Sequence, residues 1–514
     1  MAAGEERTVL KERGKLLLRF VPAAVICGLL SFGDAVPALW WNAAVTVCAV
    51  YLIYAVLTRR LKGKSTVGKL LLALALFVLY VFAAAAIPNS VDVPLSRPVD
   101  TLQVRSDTEG AERARLVCTN QEALEQRLRM INEAQTSVVL NTFEWYPDNS
   151  GTDVMAALYG AAERGVSVRI LVDGFTAMGL DTDPTFCALA ARPNVEVRVY
   201  NRLNLLLPWR SSNRMHEKYL IVDDTCYLLG GRNTNDLFLG SYSSKRTNDD
   251  MEVLVWQPAA RPESSLAQLR SYFDAMWQMR YCTAFTGHGS EKRLQDRWQA
   301  LQSNTPSYFA AYDYTAQTSP TDRLTLFSGP TTPMEKEPVV FYELAGLMES
   351  ARERVIVYTP YAICNASMYA ELGKIASGVP QAEMMLNSPR NGANLFGSSD
   401  YLMQKNRLLR TGFTLLEYNG GSSYHGKLIL IDRDISVVGS FNMDMRSVYL
   451  DTELMLVIDS EDINRQMESY MAQTRLRCTE VSASGGTETS SMGVGKTLVY
   501  GVLKIVSYPI RHLL

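Results

Sequence analysis

The sequence predicts an α/β fold of two pseudo-symmetric lobes with one active site at their interface, preceded by N-terminal transmembrane helices. Three observations predict it. A short polar motif occurs twice, each copy stands in the same succession of strand and helix patterns, and residues 1–90 are far more apolar than the remaining chain. Strands that alternate with helical patterns are typical of a largely parallel sheet. A chain of 514 residues is long enough for several domains.

The repeat is visible as matching runs of apolar residues. In the first copy, strand patterns cover residues 137–140, 166–172 and 195–200, with a helix pattern over 154–164. In the second copy, strand patterns cover residues 354–358, 382–386 and 414–418, with a helix pattern over 368–376. We therefore expect the first lobe over residues 110–285 and the second lobe over residues 320–478.

Both copies then reach the motif His-x-Lys-x4-Asp. It reads His216-Glu-Lys218-Tyr-Leu-Ile-Val-Asp223 in the first copy and His425-Gly-Lys427-Leu-Ile-Leu-Ile-Asp432 in the second. Residues two apart on a strand point to one face, so each His lies beside its Lys. The apolar run that follows is typical of a strand covered on both sides. Only four histidines occur in the chain, and two hold matching places in the repeat, which favours a catalytic over a structural role.

Each copy continues into a second strand that ends in glycine and asparagine. The two ends read Gly230-Gly-Arg-Asn233 and Gly439-Ser-Phe-Asn442. The first copy has Gly231 where the second has Ser440, so one hydroxyl is absent on that side. No P-loop, no GxGxxG and no cluster with zinc-ligand spacing occurs in the sequence.

These segments resemble the paired HKD motifs of the phospholipase D superfamily, and the resemblance covers roughly residues 110–478. Within that superfamily the chain is most similar to bacterial cardiolipin synthases. The similarity rests on the glycine-asparagine segments above, on Thr359-Pro-Tyr361, and on residues 439–447 followed by Asp451-Thr-Glu453.

The resemblance implies a two-step phosphoryl transfer that uses no metal and no cofactor. By this analogy His216 is the nucleophile and His425 the general acid and base. The remaining site residues fall into three groups. We expect Lys218, Lys427, Asn233, Asn442 and Ser440 to bind the phosphate oxygens. Glu252 and Glu453 are candidates to orient the histidines. Asp223 and Asp432 complete the motifs, but their place at the far end of the strand favours a turn or salt bridge over direct chemistry.

The implied reaction transfers a phosphatidyl group from phosphatidylglycerol to the hydroxyl of a second phospholipid and releases glycerol. A phospholipase D that makes phosphatidic acid differs only in its acceptor, and no residue distinguishes the two. A nuclease of the same superfamily is disfavoured, because the net charge is −2 and no basic and aromatic stripe is present. A scaffold without activity would have no need of two intact motifs. The oligomeric state stays open.

Three apolar runs, residues 16–33, 37–57 and 70–87, predict two or three transmembrane helices, since a span needs about 20 apolar residues. The first run is marginal. The basic link at residues 58–69 is expected on the cytoplasmic side of the membrane. This predicts a multi-pass cell-membrane protein whose catalytic region lies outside the cytoplasm; the competing orientation places the catalytic region in the cytoplasm.

Residues 482–495 are typical of a linker. Residues 496–514 have the spacing of an amphipathic helix, either on the membrane or packed on the protein.

Eight cysteines occur without a C-x-x-C pair, and six lie outside the membrane region. We interpret these six as small buried apolar residues. Disulfides in an oxidising compartment are the alternative.

Overall fold

A computed structural model describes residues 66–86, 89, 92–96, 98–99, 103–204, 208–243, 247–482 and 494–514. The chain divides into two compact units, and both lobes lie in the larger one. The smaller unit comprises residues 1–92, 203–212 and 513. Its described elements are helix α1, Thr66–Ala86, and a single-turn helix, Pro208–Ser211. Ala84 and Trp209 are buried against each other, with Tyr80 packed beside them.

The first two apolar runs of the sequence lie outside the described residues, and most of the third falls in α1. Within the described ranges, no helix combines the length and apolarity that a membrane crossing requires. The transmembrane helices therefore stay a prediction.

The first lobe holds a sheet of mixed direction with helices between its strands. Its elements are β1 (Arg113–Val117), α2 (Asn120–Glu133), β2 (Ser137–Thr142), α3 (Asn149–Glu163), β3 (Ser167–Asp173), α4 (Gly174–Leu180), α5 (Pro184–Ala190), β4 (Val195–Tyr200), β5 (Lys218–Val222), β6 (Cys226–Gly230), β7 (Asn248–Asp249), β8 (Glu252–Trp256), α6 (Ser265–Trp277) and β9 (Cys282–Ala284). Helix α7 (Lys292–Asn304), the single-turn helices Pro306–Phe309 and Tyr314–Gln317, and strand β10 (Ser319–Pro320) lead to the second lobe.

The second lobe repeats this order. Its elements are β11 (Arg323–Ser328), α8 (Val339–Glu349), β12 (Arg354–Tyr358), β13 (Ala362–Ile363), α9 (Ala366–Gly378), β14 (Gln381–Asn387), α10 (Leu395–Leu409), β15 (Thr414–Tyr418), β16 (Ser423–Tyr424), β17 (Leu428–Ile431), β18 (Ile435–Gly439), β19 (Met443–Asp444), α11 (Met445–Tyr449), β20 (Leu454–Asp459), α12 (Glu461–Arg475) and β21 (Cys478–Glu480). Helix α13 (Val494–Ser507) and a 3-10 helix (Tyr508–Leu513) follow.

The two sheets have the same topology. The strand order is β10-β1-β8-β6-β5-β2-β3-β4-β9 in the first and β11-β20-β18-β17-β12-β14-β15-β21 in the second. Apart from the extra edge strand β10, each strand has a counterpart at the same place. The internal duplication and the mixed α/β fold are thus confirmed.

The prediction of largely parallel sheets was wrong. Within the two large sheets, the parallel strands are β2-β3-β4 in the first and β12-β14-β15 in the second. The strand of each His-Lys motif pairs antiparallel with both neighbours. The reason is the connection: only three residues join β5 to β6, and a parallel pair would need a crossover of a dozen or more.

A shared apolar core lies between the lobes. It combines Ile221 and Val253 of the first sheet with Leu430 and Leu456 of the second, and adds residues of α6 and α12. A separate core packs α2, α3 and α5 on the first sheet. Because the two sheets share one core, the motif strands at their centres are fixed relative to each other.

The six cysteines of the catalytic region are free thiols, four of them buried, as the interpretation of small apolar residues expects. Helix α13 packs against α10. One face of α13 therefore contacts the protein, which was one of the two alternatives predicted for this segment. Its contact with a membrane stays a prediction.

Candidate active site

Each of the two histidines lies at the boundary between the lobes. The backbone N–H of His216 donates to the carbonyl of Thr452 at 3.1 Å, and that of His425 donates to Asp249 at 2.7 Å. The short strands β16 and β7 pair in parallel beside His425, and Met215 bridges Thr452 beside His216. Each catalytic segment is therefore hydrogen-bonded to the opposite lobe.

Each imidazole is held by a carboxylate from that opposite lobe. His216 Nδ1 lies 2.9 Å from Oε1 of Glu453, and His425 Nδ1 lies 2.7 Å from Oδ2 of Asp250. A His whose Nδ1 is engaged in this way presents Nε2 for chemistry, in a fixed orientation. Neither half-site is complete without the other lobe.

Glu252, predicted to orient a histidine, does not take that position. Its carboxylate accepts two hydrogen bonds from Arg127, at 2.7 and 2.5 Å, in a buried ion pair. The strand register explains the difference. Gly230 pairs with Glu252, whereas the equivalent Gly439 pairs with Met455. The counterpart of Glu453 is thus two residues before Glu252, at Asp250.

Asp250 is the functional residue that the sequence reasoning missed. Although the segment Asn248-Asp249-Asp250 is polar, the Asp250 side chain is fully buried. Burial opposes its ionisation, but the His425 hydrogen bond and the charges of His425 and Lys427 outweigh burial and lower its pKa to about 2. The sequence alone does not distinguish Asp250 from Glu252, because the choice depends on which residue of β8 pairs with Gly230.

The two half-sites differ around their carboxylates. Glu453 accepts hydrogen bonds from the hydroxyls of Ser440 and Ser447, so Ser440 contacts the orienting carboxylate, while its contact with the phosphate stays a prediction. Burial raises the pKa of Glu453 to about 8. Gly231 occupies the place of Ser440 in the first lobe, and a Cβ there would lie 2.7 Å from Asp250. The glycine therefore leaves room for the Asp250 carboxylate.

The motif lysines are buried beside their histidines. Lys427 Nζ lies 3.1 Å from Nε2 of His425, and Lys218 Nζ lies 5.1 Å from the ring centre of Phe143. Burial and then Lys427 lower the pKa of His425 to about 3, with a further contribution from Lys218 of the other lobe. Burial likewise lowers the pKa of His216, where Lys427 contributes. Burial and the two lysines thus disfavour the charged form of both imidazoles, while Asp250 opposes this effect at His425.

The asparagines border the same centre. Asn233 Nδ2 donates to Glu144 at 3.0 Å, and Asn442 Nδ2 donates to the Tyr361 hydroxyl at 3.4 Å. Aromatic edges complete the walls: Phe143 packs on His216 and Phe238 on His425, with ring centres 5.1 and 4.9 Å apart. Within the described ranges, no group of three or more His, Cys, Asp and Glu side chains is placed to hold a metal ion.

Asp223 and Asp432 lie away from this centre. At about 3.3 Å per strand residue, each is roughly 16 Å along the strand from its Lys. Asp223 accepts backbone hydrogen bonds from residues 135–137 and Asp432 from residues 352–354, at 2.8 to 3.2 Å. Both adopt left-handed backbone angles, with φ of 51° and 48°. The structure places them in a turn.

We expect Asp223→Asn to lower stability by about 0.5–1.5 kcal/mol, because the backbone N–H groups of residues 135–137 exchange a charged acceptor for a neutral one. Asparagine tolerates the left-handed backbone, so the turn itself is kept. Denaturant unfolding measures the change, and turnover of the folded enzyme should stay at the wild-type rate. Lost turnover at unchanged stability would instead give Asp223 a part in the chemistry.

Burial lowers the pKa of Lys218 to about 8 and that of Lys427 to about 7. Each lysine is a cation only below its folded-state pKa, so the charge available for phosphate is lost as the pH rises through this window. We expect kcat/KM for a soluble phosphodiester to fall above this range, because kcat/KM reports groups of the free enzyme. An active Lys427→Arg enzyme should shift the fall to higher pH, since guanidinium stays charged. A profile flat up to the ordinary lysine pKa of about 10.4 would contradict this.

The comparisons with known proteins agree with this geometry. The family model described as "Cardiolipin synthase, PLD-like domain" matches residues 128–277 and 344–475, which cover both half-sites. Cardiolipin synthase C of Escherichia coli is 25% identical over 394 residues, spanning 69% of this chain and 83% of the relative. Cardiolipin synthase A of Erwinia tasmaniensis is 27% identical over 370 residues, spanning 70% of this chain and 69% of the relative.

Among solved structures, a phosphatidylserine synthase of Haemophilus influenzae Rd KW20 superimposes with a TM-score of 0.60. The alignment covers 80% of this chain and 98% of that one, at 13% identity, which shows a shared fold. The matched family segments make up more than half of the 514 residues and contain both histidine motifs. The chain therefore belongs to the cardiolipin synthase-type family of phospholipase D-like proteins.

Proposed function

We propose that the protein is a phosphatidyltransferase of the cardiolipin synthase type. It transfers a phosphatidyl group from phosphatidylglycerol to the hydroxyl of a second phospholipid and releases glycerol. One observation carries the proposal: two histidines, each oriented through Nδ1 by a carboxylate of the opposite lobe, lie beside two buried lysines. This arrangement supplies a nucleophile, a general acid and cations for a phosphodiester.

In the first step, Nε2 of His216 attacks phosphorus and a P–N bond forms. The P–O bond to the glycerol headgroup breaks, and His425 donates its proton to the departing oxygen. The phosphatidyl group is then held on His216. The ionised carboxylate of Asp250 supports the imidazolium form that His425 needs for this donation.

In the second step, His425 takes the proton from the hydroxyl of the acceptor lipid. That oxygen attacks phosphorus, the P–N bond breaks and His216 is regenerated. Lys218 and Lys427 offset the charge that develops on the non-bridging oxygens, and Asn233 and Asn442 donate further hydrogen bonds. With water as acceptor, the same steps would give phosphatidic acid.

We further propose that the protein is a multi-pass membrane protein with the catalytic region outside the cytoplasm. The proposal is supported by the apolar runs within residues 1–90 and by the five basic residues of the link at 58–69. Protease protection of spheroplasts tests it. Digestion of the catalytic region from outside is the expected result, and full protection would overturn it.

Lipid analysis of a cardiolipin-lacking bacterial strain that expresses the protein tests the activity, with His425→Ala as control. Cardiolipin that appears only with the intact protein is the expected result. A rise in phosphatidic acid alone would make the protein a hydrolase. No lipid change, together with plasmid nicking by the purified protein, would make it a nuclease.

A further inference from the structure

The C-terminal helix α13 has one face on the protein and one face exposed. On the protein side, Tyr500 is 2% exposed and its hydroxyl donates to the carbonyl of Pro389 at 2.8 Å. On the opposite side lie five aliphatic side chains with large exposed fractions: Leu498, Val499, Val502, Ile505 and Val506. Their spacing of three and four residues places them on one face of the helix.

Two contacts fix α13 to the second lobe, and both lead to the second half-site. Pro389 lies two residues after Asn387, whose side chain amide donates to the carbonyl of Tyr424, directly before His425. Beyond the end of α13, Arg511 pairs with Asp400 of α10 at 3.0 Å and donates to the carbonyl of Cys364 at 3.1 Å. Cys364 follows β13, and β13 pairs with β19, which begins directly after Asn442.

A second exposed apolar pair lies at the start of α10, the helix on which α13 packs. Leu395 and Phe396 are 41% and 39% exposed. The next residue, Gly397, lies so close to the Tyr361 ring that a Cβ would be 2.9 Å from it. Tyr361 in turn accepts the hydrogen bond of Asn442. Apolar surface is thus present both on α13 and at the start of α10, where only the Tyr361 ring separates Gly397 from Asn442.

The charged side chains of the C-terminal segment are all basic. Residues 494–514 contain Lys496 and Lys504, besides Arg511 that is paired with Asp400, and no acidic residue. An exposed aliphatic face on a basic helix is typical of contact with an anionic lipid surface. A lipid surface also fits the substrate, because both reactants of the proposed transfer reside in a bilayer.

We propose that α13 is a fixed platform that binds an anionic phospholipid bilayer and holds it at the mouth of the second half-site. The choice of lipid as the occupant rests on the proposed function. The platform is distinct from a flexible tether, since Tyr500 and Arg511 fix its position relative to His425 and Asn442. Contact with lipid and productive delivery of lipid are therefore separate properties, which different substitutions affect.

The lipid contact is tested with the full chain in vesicles of equal parts phosphatidylglycerol and phosphatidylcholine. The variant Ile505→Trp reports position through fluorescence quenching by lipids brominated on their acyl chains. Leu476→Trp, at a side chain that is 80% exposed on the end of α12, is the matched control. We expect added quenching at position 505 and none at position 476. Equal quenching at the two positions would overturn the proposal, whether or not the enzyme is active.

Delivery is tested by two rates, the consumption of vesicle phosphatidylglycerol and the hydrolysis of soluble bis(4-nitrophenyl) phosphate. We expect the double variant Leu498→Ser/Ile505→Ser to lower the vesicle rate by about 100-fold, since each buried aliphatic side chain changes a partition constant about tenfold and the variant removes two. The soluble rate and that of the Leu476→Ser control should not change. A lower melting temperature or an altered oligomeric state in the double variant would mean that protein covers this face, which would overturn the proposal.

The fixed position is tested by Tyr500→Phe/Arg511→Gln, which removes the bonds that hold α13. We expect quenching at position 505 to persist while the vesicle rate falls and the soluble rate stays. An unchanged vesicle rate would make α13 a tether and overturn the platform. If the wild type consumes no phosphatidylglycerol, the proposed function fails, while the quenching result still decides on the lipid contact.

Discussion

Replacing either motif histidine should lower turnover on the order of 10⁴-fold or more, and replacing both should cost no more than replacing one. The reason is that His216 and His425 act on the same phosphorus in one double displacement, so the loss of either one stops the cycle. The variants are His216→Ala, His425→Ala and the double variant, and initial rates on phosphatidylglycerol vesicles measure the effect.

The control for these variants is His288→Ala. His288 is exposed in the loop after β9, and we expect its loss to leave the rate unchanged. Two single variants that each keep about half of the activity would contradict the account, because they would indicate two independent sites, one in each lobe.

Asp250→Asn should lower turnover about 10²- to 10⁴-fold, as expected when an amide replaces the carboxylate that orients a catalytic imidazole. The amide cannot stabilise the imidazolium form of His425, although its shape is nearly the same. The loss should appear in kcat of the folded enzyme, and the melting temperature should also fall, because a buried carboxylate whose pKa is lowered to about 2 stabilises the folded state at neutral pH. Rates on bis(4-nitrophenyl) phosphate and thermal unfolding measure the two quantities.

Glu252→Gln is the matched control, two residues along the same chain segment. It leaves Arg127 buried without its charge partner, which should lower stability by about 3–5 kcal/mol. The folded enzyme should keep its kcat, since Glu252 touches neither histidine. The reverse outcome, with Glu252→Gln inactive and Asp250→Asn active, would return the orienting role to the residue that sequence reasoning chose.

Local patterns predicted the strands of both lobes well because these strands are short apolar runs with polar ends. The bounds predicted for β4, β12 and β15 agree with the structure at every residue. Strand direction was predicted wrongly, because alternating strands and helices favour parallel sheets, and a turn at Asp223 or Asp432 does not by itself show that the two flanking strands pair with each other. The motif residues themselves were recognised because they recur, and recurrence is a property of the sequence alone.

The missed features all depend on contacts distant in sequence. Asp250 follows two polar residues, Asn248 and Asp249, and resembles an exposed loop until β7 pairs with β16 of the other lobe. The exchange of carboxylates between lobes leaves no local pattern, because Glu453 and His216 belong to different repeats. The attachment of the C-terminal segment to the second lobe likewise involves the buried Tyr500 and Arg511, which an amphipathic pattern does not distinguish from residues at a membrane.

The most direct test of the account is a balance of products from purified protein in phosphatidylglycerol vesicles. Mass spectrometry follows cardiolipin and phosphatidic acid, and an enzymatic assay follows glycerol in the same samples. A phosphatidyl group that passes through one histidine to a second lipid predicts cardiolipin and glycerol in equal amounts, and neither product from His425→Ala. Glycerol released with phosphatidic acid and without cardiolipin, or cardiolipin still formed by His425→Ala, would contradict it.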